Sequence, residues 1–236
     1  MSKAIVIATG ATAAATGRSS GSRSGTARTA PFWTAFARSL RARGLSGVRL
    51  VISDAHQGLK AAIAAVFLGA AWQRCRVHLL RNVLARIPKG RAEMVLALIR
   101  TIWAQPDPAA VREQLDAVAD KLAPGFPVVA DMLREAREDV TAFAAFPFAN
   151  WKKIWSTNPL ERVNKEIKRR SDVVGIFPNE AAVLRLAGAV LLEVHDEWAI
   201  AERRYLAEGS MTLIDQVTDD GSTKEVDGAR SLLLAS

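Results

Sequence analysis

The chain has 236 residues, half of them hydrophobic, and a formal charge of +8 from 32 basic and 24 acidic side chains. A single cysteine excludes an intrachain disulfide, and the longest uncharged apolar run, Ala61 to Trp72, falls short of the roughly 20 residues a membrane helix needs. Nor is the charge a uniform nucleic-acid-binding surface, because residues 1–53 hold eight Lys or Arg and no Asp or Glu, while the remainder is balanced.

In chain order, "KAIVIATG" is a short β-branched run that predicts a strand, and "GVRLVISDAH" predicts a second one ending at Asp54. Between them "PFWTAFARSLRARG" places Phe32, Phe36 and Leu40 at helical spacing, with Gly44 as the C-terminal stop. The segment from Thr12 to Ala30 has no large apolar side chain, only small residues and three Arg, and is expected to be disordered. After Asp54, "AHQGLKAAIAAVF" predicts a helix with Leu59, Ile63 and Val66 on one face. "AWQRCRVH" predicts a strand, and "LLRNVLARI" a helix stopped by Pro88. From Arg91 to Phe146 three helix-period segments, separated by "QPDP" and "PGFP", predict a helical unit set into an α/β domain. An aromatic and basic link, "FANWKKIW", leads to the helix of "STNPLERVNKEIKRR". A long amphipathic helix opened by Asn179 follows, then a tail from Ala207 without a strong period.

Two carboxylates stand out. Glu161 follows Asn158 and Pro159 in a pattern that suits an N-terminal capping arrangement, with Asn158 as the cap and Glu161 reaching back to it. Alternatively Glu161 works with a partner acid, and Asp54 is the candidate because it closes a buried strand, where α/β sheets place their ligands. Asp54 has its own bland alternative as the cap of the next helix. Two carboxylates from separate elements can hold a divalent ion of the kind used in phosphodiester chemistry. Lys165, Lys168, Arg169 and Arg170 would then hold phosphates by charge rather than by base identity. Cys75 and His78 are a weak metal signal, since no second pair stands at suitable spacing, and a buried cysteine before a helix-opening histidine is the simpler reading.

The segments "VISDAHQGLKAAI", "WQRCRVHLLRNVLARIPKG", "IWSTNPLERVNKEIKRRSDVVGIFPNEAAVLRL" and "HDEWAIAERRYL" resemble the second half of bacterial IS256-type, or Mutator-family, transposases. The resemblance implies an RNase H-like α/β core with an all-helical insertion and a DDE site that uses Mg2+ (or Mn2+) to cut DNA and join its 3′ ends to a target. It equates Asp54 with the second Asp, Glu161 with the Glu, Lys168 with the basic residue seven positions on, and Cys75 and His78 with a C-x-x-H motif. The implied organisation is a residual core strand in 1–11, a low-complexity stretch in 12–30, core in 31–88, helical insertion in 89–147, core in 148–206 and a tail in 207–236. Expected partners are DNA, meaning element ends and target, together with a second copy or a full-length transposase, at a cytoplasmic, nucleoid-associated location and with no membrane.

The chain also departs from that pattern. The resemblance puts the first Asp on a strand preceding "KAIVIATG", and no acid occurs here before Asp54. A truncated, inactive copy is therefore expected, lacking the N-terminal DNA-binding region as well. The alternative is a non-catalytic fragment that binds DNA or poisons a dimer. The Arg/Ser/Gly stretch suggests a compensated frameshift: "GTARTAP" can be encoded so that the neighbouring frame reads Asp-Ser-Glu-Asp-Gly-Ala, an acid-bearing segment.

Overall fold

A computed structural model describes residues 4–12, 17–25, 29–200, 206, 210 and 231–235. It is a mixed α/β structure, mostly helical, with one five-stranded sheet. The chain divides into two compact units, Met1–Trp72 with Thr157–Ser236, and Gln73–Ser156.

The discontinuous unit contains the strands β1 (Ala4–Thr12), β2 (Gly17–Gly25) and β3 (Val48–Ser53), and the helices α1 (Ala30–Ala42) and α2 (Gln57–Val66). The sheet order is β2-β1-β5-β3-β4, where β4 is Ala71–Arg74 and β5 is Ser231–Ala235, and the division between the units falls within β4. β5 runs antiparallel to β1 and parallel to β3. Val6, Ala8, Val48 and Val51 share a core with Trp33, Phe36 and Leu40 of α1 and Leu59, Ile63 and Val66 of α2. The alternating residues Ile7, Leu50 and Ile52 are buried too, as in strands covered on both faces. The helix stop at Gly44 forms as expected. Gly44 takes φ +95°, its N–H donates to the Arg41 carbonyl, and Leu45 N–H donates to the Leu40 carbonyl, closing the last turn.

Two expectations are corrected here. Gly17–Gly25, expected to be disordered, pairs with β1 as an antiparallel edge strand. Backbone pairing needs no apolar side chain, and the edge of a sheet tolerates small polar residues. The tail, read as a segment without a strong period, contributes Ser231–Ala235 to the middle of the sheet. Five residues are too few to show a period, but they suffice for a ladder between two existing strands.

The unit Gln73–Ser156 is helical beyond the end of β4. Its helices are α3 (Arg76–Leu84), α4 (Ala92–Arg100), α5 (Pro108–Leu122), α6 (Pro127–Glu135), α7 (Arg137–Thr141) and α8 (Trp151–Ile154). It contains the 89–147 segment expected as a helical insertion, together with α3 and α8. Asp107 caps α5 by accepting the Ala110 N–H at 2.9 Å, and Pro108 occupies the first turn. Its core centres on Phe143, which meets Trp151 and Trp155 edge to face at ring distances of 5.0 and 5.8 Å. Two further helices, α9 (Asn158–Val174) and α10 (Glu180–Ile200), belong to the first unit. There α9 lies against β1 and α10 against β2.

Candidate functional site

β3 is buried up to Ser53 and delivers Asp54, exposed, at its carboxyl end. Several bonds fix this corner. Trp72 Nε1 donates to Ser53 Oγ at 2.8 Å, and Ser53 Oγ donates to the Asp54 carbonyl at 2.9 Å. The Asp54 carbonyl also accepts the His56 N–H, and Asp54 Oδ1 accepts the Ala55 N–H at 2.7 Å. The cap of α2 is His56, whose Nδ1 accepts the Leu59 N–H at 3.3 Å, so the capping alternative for Asp54 is corrected. Sequence reasoning missed Ser53, Trp72 and His56 because nothing along the chain marks a tryptophan that will meet a strand end 19 positions away.

Glu161 lies in the first turns of α9, in the same unit as Asp54. The Thr157 carbonyl accepts the Glu161 N–H at 2.9 Å, so Thr157 is the cap and Glu161 the fourth helical residue. The arrangement with Asn158 as cap is therefore corrected. Pro159 fits the second position because N–H groups of the first turn have no helical partner in any case. Leu160, Val163 and Ile167 form the buried stripe, as their spacing predicts. Glu161 is half-buried, with Oε1 shielded from solvent, while Lys165 and Lys168 point outward and form no ion pair among the described residues.

The other two cations of this helix are engaged within the protein. Arg169 donates two bonds to Glu166, at 2.9 and 2.7 Å, while Arg170 bridges Glu166, at 2.8 Å, to Glu193 on α10. The guanidinium of Arg169, and then that of Arg170, hold the Glu166 carboxyl down to about 2. Arg170 likewise lowers the pKa of Glu193, and its own is raised by these partners, Glu193 first. Of the four cations expected to hold phosphates, Lys165 and Lys168 are thus the two that form no ion pair among the described residues.

Cys75 and His78 belong to the helical unit. Cys75 is buried and caps α3 through its carbonyl, which accepts the Leu79 N–H, and His78 follows in the first turn. Between them, Arg76 stacks over the Trp155 ring at 3.9 Å and lies 5.7 Å from that of Trp103. Its pKa is lowered chiefly by burial, with the Arg100 charge adding to the effect.

The family model described as "Transposase, Mutator family" matches residues 1–201. The chain belongs to that family. Among its relatives are the transposases of IS1081 from Mycobacterium tuberculosis, of ISRM5 from Rhizobium meliloti, and of IS256 in transposon Tn4001 from Staphylococcus aureus. The first is 55% identical over 174 residues, covering 74% of this chain and 42% of the relative. The second is 41% identical over 171 residues, covering 72% and 43%, and the third 37% over 176 residues, covering 74% and 45%. The Mutator-family chain thus spans less than half the length of these relatives. Among its described residues no helix is long and apolar enough to cross a membrane.

Proposed function

We propose that this Mutator-family chain carries two acids of an RNase H-like, DDE-type site that cuts DNA strands and transfers their ends. The carrying observation is that Asp54 closes a buried strand while Glu161, far away in sequence, returns to the same compact unit on a helix with two outward lysines. Both acids present carboxylate oxygens, the donor class that suits Mg2+ or Mn2+. Asp54 stands exposed, with Oδ1 accepting a bond from its own turn, and Glu161 is half-buried on its helix, so each offers a carboxylate of the kind that would hold such an ion. When bound, the metal would supply Lewis-acid polarisation of a phosphate oxygen and a more acidic water. The Ser53 and Trp72 bonds hold the Asp54 backbone in place, and Lys165 and Lys168 would bind substrate phosphates by charge.

A full-length transposase or a second copy is the partner on this reading. The two outward lysines beside Glu161 also support a second reading, a chain that binds DNA without cutting it. Plasmid cleavage in Mg2+ or Mn2+ separates the two. On the first reading Asp54→Ala and Glu161→Gln each lower cleavage by about a hundredfold or more. Cleavage indifferent to both substitutions removes these residues from the site, and DNA retention without any cleavage selects the binding-only fragment.

A further inference from the structure

Arg76 is the first residue of α3 in the helical unit, where a cation is costly on three counts. It is half-buried, the amino end of a helix repels positive charge, and the charge of Arg100 acts on it as well. Proteins usually answer such costs with a carboxylate. Arg76 has none, forming no ion pair and no side-chain hydrogen bond among the described residues. The chain around it supplies no candidate either, since residues 55–92 contain no Asp or Glu and residues 73–92 hold six Lys or Arg.

Aromatic rings hold Arg76 instead. Its N–H donates to the Trp155 carbonyl at 3.0 Å, and its guanidinium lies over the Trp155 ring at 3.9 Å and 5.7 Å from that of Trp103. Both indoles are buried, so they form a fixed floor beneath the cation rather than a platform open to a base. Cation–π contact offsets part of the cost. It engages the face of the guanidinium and leaves the N–H donors at its edge, in the fork that gives a phosphate two parallel bonds. Arg100, exposed in the last turn of α4 and without an ion pair among the described residues, brings a second guanidinium to the same neighbourhood.

We infer, on the basis of the DNA-processing role proposed above, that Arg76 and Arg100 form a phosphate site on the helical unit that takes a backbone phosphodiester of DNA. One anion there would relieve the burial, dipole and like-charge costs together. The competing role for Arg76 is to roof two indoles, which needs its carbon stem and plane but no ligand.

The test uses the whole chain without divalent metal, so that binding is read in the absence of cutting. Duplex binding is followed by anisotropy across a salt series, and the Arg76 Nε–H signal by NMR. That signal is expected to move as duplex binds, and to need about tenfold more inorganic phosphate, or above, for the same change. Arg76→Met, which keeps an apolar cover over the indoles, and the exposed Arg100→Ala are each expected to weaken binding by about three- to tenfold and to reduce the salt slope by about one. Arg76→Lys keeps the charge but loses the fork, so the slope should return with only part of the affinity. Wild-type affinity and slope in both charge-removing variants, or an Arg76 signal indifferent to duplex, overturn the site and leave the DNA-processing role standing. A signal moved by inorganic phosphate and not by duplex overturns it likewise, as a site for the free ion. Should Arg76→Met fail to fold, the slope of Arg100→Ala decides. Failure of the wild type to retain DNA sinks the proposed role, and this site with it.

Discussion

Gln73 shows how one side chain can hold a helical unit together. It is fully buried, donates to the Val140 carbonyl at 3.0 Å and to the Arg74 carbonyl at 2.8 Å, and accepts the Phe143 N–H at 2.7 Å. The amide of glutamine supplies both a donor and an acceptor, and an apolar replacement of similar size supplies neither. Gln73→Leu leaves a buried N–H and a buried carbonyl without their partner, at about 1–3 kcal/mol for each group. Hydrogen exchange at the Phe143 amide is expected to quicken by about tenfold or more, since about 1.4 kcal/mol corresponds to a factor of ten. An unchanged exchange rate would show that water or a rearranged side chain replaces the glutamine. Nothing in the sequence announces this role. A glutamine in a short predicted strand reads as solvent-facing, and its partners lie 67 and 70 positions further on.

At the scale of elements, α9 and α10 are clamped by the Glu166, Arg169, Arg170 and Glu193 network. Glu166 drops from an ordinary 4.5 to about 2 and Glu193 shifts in the same direction. A depressed carboxyl pKa means that the folded state binds fewer protons, so the clamp contributes fully above about pH 4.5 and is lost as pH falls through about 2. Protection of α10 amides is therefore expected to decline between those limits, and less steeply in Glu166→Gln, which keeps the Arg170–Glu193 pair but lacks the Glu166 carboxylate at every pH. Because the pairs are solvent-exposed, about 1 M salt should blunt the difference. Equal acid profiles for the two proteins would remove the clamp from the stability of this helix pair. The elements themselves were readable where burial imposes a period: α1, α2 and the Leu160, Val163, Ile167 stripe of α9 follow from spacing alone. The caps are less so: the spacing of Pro159 and Glu161 points to Asn158, whereas the Glu161 N–H bonds the Thr157 carbonyl and makes Thr157 the cap. Arg169 pairs with Glu166 three residues before it, whereas the Glu193 partner of Arg170 stands 23 residues further on and is not marked in the sequence.

The whole molecule combines a contiguous unit, Gln73–Ser156, with one assembled from two distant parts of the chain. The candidate acids were legible because a strand end and a helix start are local signals. β2 and β5 were not, since a Gly/Ser run and a five-residue apolar run gain their meaning only from long-range pairing. β1 and β3 are joined through β5 alone, so deleting residues 231–236 is expected to separate two halves of the sheet. The ladder bonds on both sides of β5 are each worth about 1 kcal/mol net, and a loss of several kcal/mol is a large share of a domain's stability. Exchange of the β1 and β3 amides should rise sharply, with the Gln73–Ser156 amides keeping their protection. Uniform loss across the chain, or none, would contradict this division. Placing so late a segment at the centre also sets an order of events during translation. The helical unit can close on itself while synthesis continues, whereas the sheet that presents Asp54 stays split until residues 231–235 leave the ribosome. A nascent chain would thus expose unpaired strand edges from the synthesis of residues 48–53 until that of residues 231–235, and chaperone demand should concentrate in that interval.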